Sequence, residues 1–254
     1  MVAILNVTGV IDRRFLINYR VEPNELVRHI PEPFRFRLVG GYGIAGICVL
    51  RLNQLRPDRF PRAIGLASDN AAHRIAVEWD GPEGTCRGVY IARRDTSSRT
   101  TVNLGGRLFP GVHHRADFEF WEESNQYEFE FKSRRDGARV SLSARLASDL
   151  TLDSVFSSLD DASTFFERSP LGFSPGHQNE TLEGLELHCE NWSVQALKVD
   201  RVGSSFFDDP SMFPRGSVTF DSALLMRNID SKWLTRTRAD PIAGSLRVIG
   251  EPLR

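Results

Sequence analysis

The sequence predicts a single β-rich α+β domain over residues 1–254, made mostly of antiparallel strands with a few short helices. Three observations carry this. Residues 115–147 alternate apolar and polar side chains with period 2, and short turns interrupt the alternation. Helical signals are confined to short stretches bounded by Pro and Gly. No repeat, low-complexity tract or long linker divides the chain.

Taken in order, Arg14 to Arg20 reads as a strand. Glu22 to Ile30 reads as a short helix with Pro23 in its first turn and acidic residues near its start, stopped by Pro31-Glu32-Pro33. Phe34 to Val39 and Ile44 to Leu52 are strands flanking the Gly40-Gly41 turn. Ile75 to Trp79 and Gly88 to Arg93 flank a hairpin at Asp80 to Gly84. Ser97 to Phe109 reads as a helix, weakened by Gly105 and Gly106 at about 1 kcal/mol each relative to Ala. In the meander, Ala116, Phe118 and Phe120, then Tyr127, Phe129 and Phe131, then Val140, Leu142, Ala144 and Leu146 share one face, with a turn at Asp136-Gly137. Asp160-Asp161 is expected to cap a helix running to Arg168. Pro170 to Gly176 reads as loop, Trp192 to Val202 as strand, Asp208 to Gly216 as turn and Val218 to Met226 as strand. Strands in this number close into a barrel or pack as sheets.

Composition narrows the function classes. Hydrophobic residues make up 41% and charged residues 26%, as in a folded domain. Thirty-two basic residues face thirty-three acidic ones, so the basic footprint of a nucleic-acid or anionic-membrane binder is absent. Arg93-Arg94 and Arg134-Arg135 adjoin Asp95 and Asp136 and read as solvated turns. No apolar run approaches the roughly 18 residues of a membrane span, and the first residues lack a basic region before their apolar run. Cys48, Cys86 and Cys189 are odd in number and far apart, which fits a reducing cytoplasm. A homo-oligomer is compatible with all of this.

Chemistry-bearing motifs are sparse. His113 and His114 are adjacent and on a strand face opposite sides, and His188-Cys189-Glu190 is a run of neighbours, so neither chelates a metal by spacing. Gly-x-Ser-x-Gly and phosphate-binding Gly loops are missing, Gly40 to Gly43 reads as a tight turn, and no cofactor is expected. Cys48 reads as a small buried hydrophobe. The chain has lysines at 132, 198 and 232. Lys132 falls in an exposed charge ladder and Lys232 at the surface, whereas Lys198 shares the phase of Trp192, Val194 and Ala196 and is a candidate functional amine.

Two stretches carry a resemblance. Tyr19-Arg20, a short helix around Leu26 and Pro31-Glu32-Pro33 form the first, and Gly106-Arg107-Leu108-Phe109-Pro110 the second. They resemble acetoacetate decarboxylase and its relatives. The tail Gly216 to Ile229 is similar to an uncharacterised bacterial branch of that superfamily, and the likeness spans residues 13–236. It implies a cone or barrel whose central cavity holds a small molecule. The family's imine-forming lysine follows the proline, but here Gly111 and Val112 follow Pro110, Leu108 replaces an acidic residue, and Asn70 stands for a glutamate. Neither Gly111 nor Val112 is a nucleophile. The pocket implied by analogy contains Arg13 (or Arg14, with the register shifted by one), Asn70, His73, Arg107 and His113. Arginines there suit a small organic acid. The expected function is small-molecule binding, or an enzyme of unassigned chemistry. The alternatives are a partner-binding domain using Phe206, Phe207 and Phe213 as an interface patch, and an imine-forming lyase using Lys198. A cavity filled by Phe34, Phe36 and Trp79 would defeat the ligand reading.

Overall fold

A run of apolar residues with no polar alternation, such as Ile44 to Leu50, belongs to a strand covered on both faces. The computed structural model, which describes residues 6–104, 111–176, 182–242 and 245–248, puts that run in the middle of a wall. The strands are β1 (Val7–Val21), β2 (Arg35–Phe36), β3 (Leu38–Val39), β4 (Tyr42–Pro57), β5 (Leu66–Gly81), β6 (Gly84–Thr96), β7 (His113–Glu123), β8 (Gln126–Ser133), β9 (Arg139–Ala147), β10 (Leu171–Pro175), β11 (Leu182–Cys189), β12 (Gln195–Ser204), β13 (Val218–Ile242) and β14 (Ser245–Val248). The helices are α1 (Pro23–Leu26), α2 (Arg99–Leu104) and α3 (Leu159–Glu167). Among the described residues, no helix is long and apolar enough to cross a membrane.

The strands β13, β1, β4, β5 and β6 pair antiparallel in that order and form the wall. Its two outer edges each divide. On β6, residues 88–90 pair with β10 and residues 94–96 with β7. On β13, residues 223–225 pair with β12 and residues 231–239 with β11. The β10–β11 pair therefore closes one ring with the wall. The meander β7–β8–β9 with β12 closes another. Two rings share one wall, and wall side chains alternate between them.

On one side, Phe15, Ile17 and Tyr19 of β1, Ala45, Ile47 and Val49 of β4, and Ala71, Ile75 and Val77 of β5 meet the meander's Tyr127, Phe129, Phe131 and Leu142. On the other, Leu16, Ile44, Cys48, Ala72, Ala76, Leu224 and Met226 meet α3 through Phe165 and Phe166. The one-sided meander strands keep strict period-2 burial, as β8 shows residue by residue.

The structure departs from the expectations at identifiable points. Residues 171–175, read as loop, form β10, whose pairing with distant β6 is tertiary and leaves no local signal. The cap of α3 is Ser158, whose Oγ accepts from the Asp161 N–H at 3.1 Å, so Asp160 and Asp161 lie in the first turn instead. Of the helix expected over 97–109, residues 99–104 form α2, and 105–110 lie outside the described residues. Trp192 precedes β12 and donates its ring N–H to Ser163 Oγ at 2.9 Å. Phe207 and Phe213 are buried in the domain's own core, Phe207 stacked on Tyr19 at 4.3 Å, so they form no exposed interface patch.

The wall also demands one missing side chain. A Cβ on Gly46 of β4 would lie 2.2 Å from the Ile17 carbonyl oxygen. Gly46→Ala is expected to lower stability by about 3 kcal/mol, as overpacking against backbone does, measured by urea unfolding.

Candidate functional site

Three rows of side chains cross the second face of the wall. Pairing aligns Arg14, Leu50, Asn70 and Thr96 in one row, Leu16, Cys48, Ala72 and Arg94 in the next, and Asn18, Gly46, Arg74 and Ile91 in the third. Arg14, Arg74 and Arg94 all project from this face, on strands about 4.8 Å apart. They line a cavity of about 310 Å³ inside the β10–β11 ring. All seven strands of that ring contribute to the lining, from Ile11 of β1 to Trp233 of β13. The floor is largely apolar. Glu167, at the end of α3, and His188 are exposed at the mouth, His188 with Nε2 2.9 Å from Glu186 Oε1.

None of the three arginines has a carboxylate within salt-bridge distance among the described residues, although Glu183, which accepts from the Gly111 N–H at 2.6 Å, lies close enough to Arg94 to favour its charge. Arg14 donates from Nε to Cys48 Sγ at 3.2 Å and from Nη1 toward Met226 Sδ at 3.9 Å. Arg74 donates to Asn18 Oδ1 at 2.6 Å across the gap left by Gly46 and packs 4.6 Å over the Phe166 ring. Arg94 donates to Ser174 Oγ at 2.8 Å. Among the described residues no ion pair joins any of the three to an acid, and Arg74 Nε and Nη1 and Arg94 Nη2 have no hydrogen-bond partner. Burial pushes Arg74 and Arg94 down to about 10, so both remain cations at neutral pH. An enclosed concentration of positive charge with free N–H groups is chemically suited to an organic anion.

A smaller compartment of about 80 Å³ adjoins the cavity and shares Leu50, Ala72, Arg94, Leu185 and Trp233 with it. Asn70 and His113 line this compartment, with His113 Nδ1 3.1 Å from the Gly111 carbonyl oxygen. Two other expected residues lie on the opposite face. Arg13 packs 4.0 Å over Phe120 and pairs with Glu122 at 3.3 Å, while Arg14, one position on, takes the cavity side. His73 is buried among Phe131, Phe206 and Phe207. Phe34 and Trp79 also pack in the meander-side core, away from the cavity. Arg107 lies outside the described residues.

Arg74 and Arg94 were not among the expected residues. Arg74 carries a faint signal, an arginine inside the run His73 to Val77. Arg94 was read as a solvated turn. Instead Arg93 pairs with Asp95 and Asp136, both at 2.6 Å, and Arg94, facing the opposite way, turns into the cavity.

No lysine reaches this site. Lys132 and Lys198 are exposed, and Lys232 pairs with Asp58 at 3.1 Å. The apparent phase of Lys198 with Trp192 fails because Trp192 is outside the strand. Gly111 has φ +87°, and a Cβ there would come 2.7 Å from Ser174 Cβ and 3.3 Å from Arg94 Nε. Any side chain at 111 would disturb the group that holds Arg94.

Two rings on a shared wall, one of them holding a charged cavity, define a protein of the acetoacetate decarboxylase-like fold. An acetoacetate decarboxylase-like enzyme from Sphingomonas wittichii superposes with a TM-score of 0.54 at 12% identity, over 91% of this chain and 90% of that one. Acetoacetate decarboxylase from Legionella pneumophila gives 0.58 at 11%, over 90% and 84%. The enduracididine biosynthesis enzyme MppR, complexed with the condensation product of pyruvate and imidazole 4-carboxaldehyde, gives 0.59 at 11%, over 94% and 89%. Among curated proteins, none matches by sequence. The chain belongs to the DUF2071 family, described as an uncharacterized conserved protein, which matches residues 11–219.

Two stability measurements follow from this arrangement. Arg74 is a buried cation without an anion, and an apolar replacement removes that burden. Arg74→Met is expected to raise stability by about 1–2 kcal/mol in urea unfolding, after the lost Asn18 bond is offset. Burial moves His73 from 6.5 to about 4. Between those values the unfolded chain holds the extra proton, so this contribution is full above pH 6.5 and is lost as pH falls through 4. Stability is expected to drop by up to about 3 kcal/mol over that window, and His73→Leu to flatten the drop.

Proposed function

We propose that the cavity binds a small organic acid through Arg14, Arg74 and Arg94, without forming an imine. The observation that carries the reading is the set of guanidiniums on one cavity, with unused N–H groups on Arg74 and Arg94, no carboxylate within salt-bridge distance among the described residues, and Glu183 alone near Arg94. Proteins seldom retain unpaired buried charge without a functional reason. A carboxylate entering the cavity would accept the free N–H groups of Arg74 and Arg94, while its carbon skeleton rests on apolar residues such as Leu50, Ile91 and Leu185. The same fold binds pyruvate in a structure of MppR. The imine route has no support here, because position 111 is glycine, its surroundings exclude a side chain, and the lysines lie outside the cavity.

The test is calorimetric titration with short-chain mono- and dicarboxylates and with their neutral amides. Carboxylates are expected to bind and amides not to. Arg74→Met and Arg94→Met are each expected to weaken binding by about ten- to a hundredfold, the range of a charge-assisted hydrogen bond. The anion needs protonated guanidiniums, so affinity should hold through neutral pH and fall as pH rises past about 10. Borohydride reduction with 2-oxo acids should leave the protein mass unchanged. Equal binding of acid and amide would overturn the anion reading, and a reduced adduct on a lysine would overturn the exclusion of an imine.

A further inference from the structure

We propose that Cys48 is the nucleophile of this cavity, placed to capture a small carboxylate that is electrophilic at the carbon next to its carboxylate group, as a 2-oxo acid is. This rests on the anion-binding reading and deepens it by naming the reacting group and the substrate class.

Cys48 sits at the centre of the three rows, between Leu16 and Ala72, and its side chain lines the cavity. Its sulfur accepts from Arg14 Nε at 3.2 Å. The neighbouring contact of the same guanidinium is also a sulfur, that of Met226. Neutral sulfur is a weak acceptor, so Arg14 is poorly compensated by its resting partners and well placed to hold negative charge arriving beside Cys48. The second, independent observation is the set of unpartnered N–H groups on Arg74 and Arg94, which flank the sulfur in the next row and in the same row. Ala72, between Cys48 and Arg94, has no side chain beyond Cβ, and all three line the cavity. A carboxylate held by these guanidiniums brings its adjacent carbon to the sulfur.

The step balances without an oxidant or reductant. The S–H bond breaks and a bond forms from sulfur to C2 of the 2-oxo acid. The π pair of the C2 carbonyl moves onto its oxygen, which takes the proton released by sulfur, giving a thiohemiketal that reverts by the same path. Cys189 provides an internal comparison. It lines the same cavity and also feels the charge of Arg14, but burial outweighs that and pushes its thiol up, and the Ser231 hydroxyl donates to it at 3.9 Å. Half-buried Cys86, on the β5–β6 hairpin, is outside the cavity.

The experiment is timed alkylation of the folded protein with iodoacetate or iodoacetamide, followed by peptide mapping. Charge repulsion makes an anionic reagent the slower one toward an ordinary thiolate, and Cys86 sets that baseline ratio. At Cys48 the preference for iodoacetate is expected to exceed the Cys86 ratio by about tenfold or more, the effect of one charge-assisted hydrogen bond. A 2-oxo acid should protect Cys48 while leaving Cys86 unaffected. Arg74→Met should lower the preference, and unfolding in urea should abolish it. If Cys48 reacts with neither reagent while Cys86 is labelled, or reacts at the Cys86 ratio, the proposal is overturned. Carboxylate binding in the titration alongside that result would leave the anion reading standing and remove only the nucleophile, whereas loss of both would remove the two together.

Discussion

Everything in this protein depends on a wall of strands covered on both faces. β1, β4, β5 and β13 run between two closed rings, so neither face of their central segments meets bulk water. Each wall residue therefore belongs to one of two interiors, and a polar side chain on either face must find a partner inside the protein or take one from outside. That constraint explains the apolar continuity of Ile44 to Val49, and it makes the exceptions informative.

The exceptions differ in how they are compensated. Arg93 and Arg94 are neighbours in one strand and face opposite ways. Arg93 is held by both oxygens of Asp95 and both of Asp136. Arg94 donates to a serine oxygen, has Glu183 nearby without an ion pair among the described residues, and keeps an unpartnered Nη2. Arg13 and Arg14 divide in the same way, the first onto Glu122 and an aromatic face, the second onto sulfur. The members with carboxylate partners, Arg13 and Arg93, lie on the meander side. Arg14 and Arg94, which have no carboxylate within salt-bridge distance among the described residues, line the cavity on the other side.

The two rings also explain why a likeness at 10–13% identity survives as shape. What the architecture needs is strand pairing, two sets of alternating apolar positions and a few glycines at close approaches, and many sequences meet those needs. The chemistry inside the cavity is not constrained in the same way. Gly111 has positive φ, and a Cβ there would come 2.7 Å from Ser174 Cβ, so no space is left for a side chain near Arg94. A fold that hosts one reaction elsewhere can therefore hold a different set of reactive groups here.

By itself the sequence determined the β-rich class, the meander from Arg115 to Ala147, the turn-rich segment before β13 and the absence of a lysine after Pro110, because these are written in local periodicity and composition. Asn70 and His113 were suggested by family resemblance alone, and they line the smaller compartment and not the main cavity. Only the tertiary structure decided that Arg14 rather than Arg13 faces the cavity, that His73 belongs to the aromatic core, and that Arg74, Arg94 and Cys48 meet. The reason is physical. Period-2 alternation marks two faces of a strand, but when both are buried the pattern does not say which interior each one enters. That choice is made by β10 and β11 pairing with strands distant in sequence, and no local signal records it.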